Sequence, residues 1–126
     1  MGNIQSHKEL HVWQDAMNGA MEIYAITKTF PPDEKYSLVD QIRRSSRSVA
    51  ANLAEAWRKR RYEAAFKSKL NDAEAEASET QTWVEVAFRC SYIDKQTADK
   101  LDQKYEYILT RLVSMSRDAG NWTLSG

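Results

Sequence analysis

Helix breakers are scarce in this chain of 126 residues, which holds four Gly and two Pro. A sandwich or barrel needs frequent turns, and such residues supply most of them, so the scarcity disfavours both and suits long helices. One cysteine, Cys90, excludes an internal disulfide framework and fits a reducing compartment. No apolar run approaches the ~18 residues of a membrane span, so no membrane partner is expected. Neither sign of charge dominates: 18 basic residues face 18 acidic ones, and no global field draws the chain to nucleic acid or membrane. The start, Met1-Gly2-Asn3-Ile4-Gln5-Ser6, lacks the charged-then-apolar pattern of a secretory signal. It fits the short Met-Gly-x-x-x-Ser acylation pattern, with nothing else in the chain to support a lipid anchor. A cytoplasmic, soluble, single domain over 1–126 is the expectation.

The residues that are present alternate at helical spacing. Ser6 with Glu9 forms a capping box, which opens a first helix over 7–29 with Leu10, Trp13, Met17, Ala20 and Tyr24 on its apolar face and Ala16, Met21 and Ile23 beside it. Pro31 disfavours helical geometry at Phe30 and ends it. A second helix, 33–59, begins after Pro32, with Asp33 and Glu34 at the positive end of its dipole. Its face is Leu38, Ile42, Val49, Leu53 and Ala56, widened by Val39, Ala50 and Trp57. A third, 62–92, carries Tyr62, Phe66, Leu70, Ala73, Ala77, Thr80, Val84, Ala87 and Phe88. A fourth, 95–119, uses Asp94 as N-cap and carries Leu101, Tyr105, Ile108, Leu112 and Met115. Gly120-Asn121 reads as its stop, followed by a frayed tail over 120–126 from which Trp122 can dock. Four amphipathic helices with short connections predict an all-α, antiparallel up-down-up-down four-helix bundle.

Reactive constellations are missing. His7 and His11 are four apart, but Lys8 rather than Glu follows His7 and no further His exists, so no metal site is expected. Cys90 has no His beside it and reads as a buried structural thiol. The acids of the third helix, Asp72, Glu74, Glu76, Glu79 and Glu85, lack the Glu-x-x-His pairs of a di-iron bundle. The expectation is a protein with no catalytic residues and no cofactor, not an enzyme.

Two patterns stand out instead. Gln41, Arg44, Ser48, Asn52 and Glu55 form a polar line on the second helix, within an arc of roughly 80° at ~100° per residue. Polar groups so near a core need partners, either across to the third helix (Arg44 with Glu74 or Glu76) or on another subunit or ligand. The second pattern is a charge asymmetry. Residues 43–69 hold nine of the 18 basic residues, Arg43, Arg44, Arg47, Arg58, Lys59, Arg60, Arg61, Lys67 and Lys69, against only Glu55 and Glu63. The stretch 72–85 carries five acids and no base. This predicts a basic bundle end at the turn between helices two and three, suited to RNA or DNA phosphates or to solvent.

The run Phe30-Pro31, Glu34, Leu38, Gln41-Ile42-Arg43-Arg44 and Ser48-Val49-Ala50-Ala51-Asn52-Leu53-Ala54-Glu55 resembles the second-helix signature of the 23S rRNA intervening-sequence proteins, also called the four helix bundle protein family. Arg60-Arg61-Tyr62, Phe66, Lys69-Leu70, Asp72 to Glu76, Ser78 to Gln81, Trp83 and Tyr92-Ile93 are similar to its third-helix pattern, and Leu10, Val12-Trp13-Gln14 and Ala16 fit its start. Together these span most of 8–118. Ala56 stands where the family usually has Gly, as does Ser91 before the Tyr-Ile pair. The resemblance implies assembly into a ring-like homopentamer and, for a structurally related accessory protein of diversity-generating retroelements, binding of nucleic acid and of a reverse transcriptase. It implies no settled biochemical activity. The expectation is therefore a homo-oligomeric binding or scaffold protein, with RNA, DNA or another protein as the alternative partner.

Overall fold

The structure, a computed structural model, describes residues 4–124. The Met1-Gly2 end of the acylation pattern and the last two residues of the tail lie outside the described residues. Four α-helices make up the fold: α1 His11–Thr27, α2 Leu38–Arg58, α3 Glu63–Arg89 and α4 Lys95–Arg117. None of the described residues is in a strand. Each helix packs on its neighbours in sequence, and α1 closes the bundle against α4. The directions alternate. Arg44 meets Glu79 while Glu55 meets Lys69, so α2 and α3 are antiparallel. Gly19 lies against Tyr105 while the starts of α1 and the end of α4 share one cavity, so α1 and α4 are antiparallel too.

The helix ends differ from the sequence reading in instructive ways. The Ser6–Glu9 capping box forms, but it caps a 3-10 turn over His7–Glu9. Leu10 then turns extended and sends its side chain into the core, so α1 proper starts at His11. Pro32–Glu34 is also a 3-10 turn, and α2 starts at Leu38 rather than at 33. The Glu34 carboxylate explains the delay: it accepts from Ser37 Oγ at 2.6 Å and faces the Leu38 amide at 3.4 Å, standing in as the cap. Tyr92 Oη also donates to Glu34, at 2.7 Å. These bonds, Ser37 first, hold the Glu34 carboxyl below its ordinary range, and the same contact pushes the Tyr92 phenol up to about 12. The third helix ends at Arg89, not at 92. Ser91 adopts φ 63°, and the amides of Ser91 and Tyr92 donate to the carbonyls of Phe88 and Ala87, the double bond pattern that closes a helix with a left-handed residue. Asp94 caps α4 as expected, accepting from the Thr97 amide at 2.8 Å, and α4 ends at Arg117.

The core runs the length of the bundle. Ile23, Ile42, Val49, Leu53, Phe66, Leu70, Tyr105, Ile108 and Leu112 are fully enclosed. A smaller cluster of Phe30, Leu38, Val39 and Ala87 closes the end where the α1–α2 and α3–α4 connections meet. Three expectations about faces fail. On α1, Leu10, Ala16, Ala20 and Ile23 are buried as expected, but the buried side is turned towards Val12, Gly19 and Thr27, so that Met17 is exposed and Met21 is 57% exposed. Tyr62, placed on the α3 stripe, is 66% exposed because it precedes the helix in an extended conformation. Cys90 is exposed, since α3 stops before it. The tail is not free either: Trp122 packs against the core, and the Leu124 amide donates to the Arg60 carbonyl at 2.9 Å.

Candidate interaction surface

The polar line of α2 follows the edge of the α2–α3 seam. Arg44 donates to Gln41 Oε1 at 3.0 Å and reaches Glu79 at 3.6 Å, one turn beyond the two acids expected as its partner. Glu55 pairs with Lys69 at 2.6 Å, and Lys69 also reaches Asp72 at 3.3 Å. Asn52 donates within its own helix, to the Ser48 carbonyl, and does not cross to α3. The crossing bond that the line misses is buried one position away: Ser45 Oγ and Thr80 Oγ1 lie 2.8 Å apart, and both residues are fully enclosed. Two small hydroxyl residues on otherwise apolar faces were the available signal for it. On the α3 side, Glu76 Oε1 is buried with no hydrogen-bond partner among the described residues. Burial, and then the neighbouring Glu79 carboxylate, raise the Glu76 carboxyl above its ordinary range.

Lys69 apart, which pairs on the α2–α3 seam, the nine basic residues expected to form one end divide into two groups. Arg58, Lys59, Arg60 and Arg61 do sit at the α2–α3 turn. Arg60 is held there by its own contacts, lying 3.4 Å over the Trp57 ring and donating to the Trp57 carbonyl at 2.8 Å. Arg58, Lys59, Arg61 and Lys67 form no ion pair among the described residues. Arg43, Arg44 and Arg47 belong elsewhere. About ten residues of helix separate Arg47 from Arg58, roughly 16 Å at 1.5 Å per residue. They join Lys35 around a concavity of about 550 Å³ on the outer face of α2, where Asp40 is the one lining acid. Arg43 is anchored by Nε to Thr27 Oγ1 at 2.8 Å, and Arg43 and Arg47 both lie over the Tyr24 ring of α1, at 4.7 and 5.9 Å. A cation over an aromatic face is attracted to the ring and kept extended along the surface.

An acidic surface balances it. Between α3 and α4, Ser78, Gln81, Thr82, Glu85, Val86, Arg89 and Asp102 line a concavity of about 530 Å³. Gln81 bridges to α4, donating to Glu106 at 3.0 Å and towards the Asp102 carbonyl at 3.4 Å. Burial raises the Asp102 carboxyl, and the like charges of Glu106, Glu85 and Asp99 add to the shift. A third cavity, of about 500 Å³, lies between the start of α1 and the end of α4 and is lined by His11, Arg111, Asp118, Asn121 and Trp122 among others. His7 instead packs edge-on to Trp13, ring centres 5.3 Å apart. Among the described residues, no three His, Cys, Asp or Glu side chains come together as a metal-holding group, and no helix is long and apolar enough to cross a membrane.

Comparison with known proteins fits this architecture. No curated protein matches the chain. A crystal structure at 1.70 Å of a protein of unknown function from the S23 ribosomal protein family of Bacteroides thetaiotaomicron is similar over 84% of this chain and 95% of that one, with 30% identity and a TM-score of 0.76. The profile of the 23S rRNA-intervening sequence proteins matches residues 8–114, which takes in all of α1, α2 and α3 and most of α4. With the bundle and the profile in agreement, the chain belongs to the 23S rRNA-intervening sequence protein family.

Proposed function

We propose that this chain is a non-enzymatic, homo-oligomeric binding or scaffold protein of the cytoplasm, with five subunits the count that the family resemblance implies. The observation that carries this reading is the apolar stripe left on the outside of α1. Met17 and Met21 are exposed on successive turns and Trp13 is half-buried one turn earlier, while the core is filled from the other side of the helix. Contiguous exposed apolar side chains, methionine and aromatic above all, mark surfaces that a partner covers. Sedimentation velocity at micromolar concentration tests it. A species several times 14.5 kDa is expected, and a 14.5 kDa monomer alone overturns the reading.

A second reading is favoured by the four cations at the α2–α3 turn, Arg58, Lys59, Arg61 and Lys67, which have no acidic partner among the described residues. Such a cluster, repeated around an oligomer, gives RNA or DNA several simultaneous phosphate contacts. A gel shift with structured RNA at about 50 mM salt is expected to show binding that falls steeply as salt rises. Unchanged binding after Arg58→Ala with Arg61→Ala removes this reading.

A further inference from the structure

We propose that the cavity between the start of α1 and the end of α4 is a binding site for a small aromatic carboxylate, its ring lodged among apolar side chains and its carboxylate held by Arg111. The cavity, of about 500 Å³, has the size usual for a small-molecule site. Ile4, Leu10, Val12, Met115 and Trp122 supply its apolar wall. Leu10, Val12 and Met115 belong to the core, and Ile4 and Trp122 pack against that core from the segments before α1 and after α4. The wall stands before any ligand arrives. The Ser6–Glu9 capping box pins the segment that carries Ile4, and the Trp122 amide donates to the Ala119 carbonyl at 2.9 Å. Beyond Trp122, the Leu124 amide is tied to Arg60. A preformed site loses less entropy on binding than one that must order itself.

The charged groups decide what the cavity takes. Glu9, His11, Arg111 and Asp118 border it. Both acids are already engaged: Glu9 accepts from the Gln5 and Ser6 amides at 2.9 and 2.8 Å, and Asp118 pairs with Arg117 at 3.4 Å. Arg111 forms no ion pair among the described residues. Its guanidinium lies 5.3 Å from the Tyr107 ring centre, a contact that occupies a face of the group and leaves its N–H edge free. That edge matches a carboxylate with two parallel hydrogen bonds. His11, on the α1 side, adds a ring N–H donor. The apolar wall calls for a hydrophobic body, and Trp122 calls for a planar one, since an indole pairs well with another ring. One unpaired guanidinium among apolar side chains specifies a monoanion with a hydrophobic body, not a polyanion. None of these residues belongs to the exposed stripe of α1 or to the basic turn, so the inference stands or falls separately from both functional readings above.

The test titrates the whole chain with 2-naphthoate, its neutral analogue 2-naphthamide and octanoate, by calorimetry and by NMR of the backbone amides. Saturable binding of 2-naphthoate with Kd below about 1 mM is expected. The amide shifts are expected to concentrate at Ile4, His11, Ser114 and Asn121, around the cavity. Arg111→Gln should weaken binding about tenfold or more, and 2-naphthamide should bind wild type more weakly by a similar factor, because each change removes the charge-assisted pair. Octanoate should bind more weakly than 2-naphthoate for want of a ring to set against Trp122. Arg89→Gln, which removes an exposed cation at the end of α3, should bind as wild type does. No saturation by 2-naphthoate at about 10 mM overturns the inference. So do shifts confined to the Met17 and Met21 stripe, undiminished binding by Arg111→Gln, and octanoate binding as tightly as 2-naphthoate. Circular dichroism shows whether each variant is helical. Should Arg111→Gln not fold, the two naphthyl ligands on wild type decide: a preference of about tenfold for the acid supports the inference, and equal affinity overturns it.

Discussion

The α2–α3 seam and the α1–α4 seam close the same bundle by different means. The first is long and specified by polar groups: a buried Ser45–Thr80 hydrogen bond sits at its middle, with Arg44–Glu79 and Glu55–Lys69 along its edge. The second is specified by shape. Gly19 lets the Tyr105 ring lie against the α1 backbone, and the hydroxyl of that fully buried tyrosine has no hydrogen-bond partner among the described residues. One exposed ion pair, Lys104 with Glu22 at 3.5 Å, borders it. Directional bonds fix the register of α2 on α3, while a missing side chain fixes α1 on α4.

The largest test of this contrast concerns the phase of α1. Ile23→Ala removes an enclosed side chain and is expected to cost about 2–5 kcal/mol of stability, against less than about 0.5 kcal/mol for Met21→Ala, read by urea unfolding at a dilution where the subunits are dissociated. Comparable losses would show that the two faces are not distinguished. The next concerns shape. A Cβ at Gly19 falls 2.7 Å from Tyr105 Oη and 3.0 Å from Cζ, so Gly19→Ala is expected to cost about 1–3 kcal/mol. Adding Tyr105→Phe, which deletes the nearest atom, should restore part of that loss; strict additivity of the two changes would refute the close contact. At the third level, Ser91→Gly should stabilise by about 1 kcal/mol, because φ 63° strains an L side chain and not glycine. An unchanged midpoint would mean that the serine is unstrained there. The smallest effect, under about 1 kcal/mol, is a slope with pH at the α2–α3 seam. The Glu76 carboxyl is raised above its ordinary value, so between the two values the folded chain keeps a proton that the unfolded chain has released. Stability therefore falls as pH rises through that window. Glu76→Gln should flatten this slope and be the more stable form at pH 7; an identical pH profile for both proteins would count against the burial argument.

The contrast also explains what could be read from the residues. On α2 the apolar positions Leu38, Ile42, Val49 and Leu53 face a flank of Arg, Gln, Ser and Asn, so its buried side is unambiguous. On α1, Trp13, Met17, Met21 and Tyr24 make a second apolar stripe beside Val12, Ala16 and Ile23, and periodicity alone picks the bulkier and wrong one. Small residues, Ala16, Gly19 and Ala20, were the better guide, since close helix packing requires them. The Asp94 cap and the Ser6–Glu9 box were legible because capping is local chemistry. The delayed start of α2 was not, because it depends on a carboxylate shared with Tyr92, 58 positions away. Charge runs were visible too, yet consecutive numbers concealed that Arg43 to Arg47 and Arg58 to Arg61 occupy different parts of α2 and its exit turn.

That shared carboxylate has a mechanical consequence. Tyr92 packs at a tilt against Phe30 with ring centres 5.2 Å apart while its hydroxyl donates to Glu34, so one phenol fastens the α1–α2 connection to the α3–α4 connection. Neither connection can lift away without releasing the other and baring Phe30, Leu38 and Val39 to water. The two loops at this end are therefore expected to open as one cooperative unit, and hydrogen exchange should show their backbone amides losing protection in step.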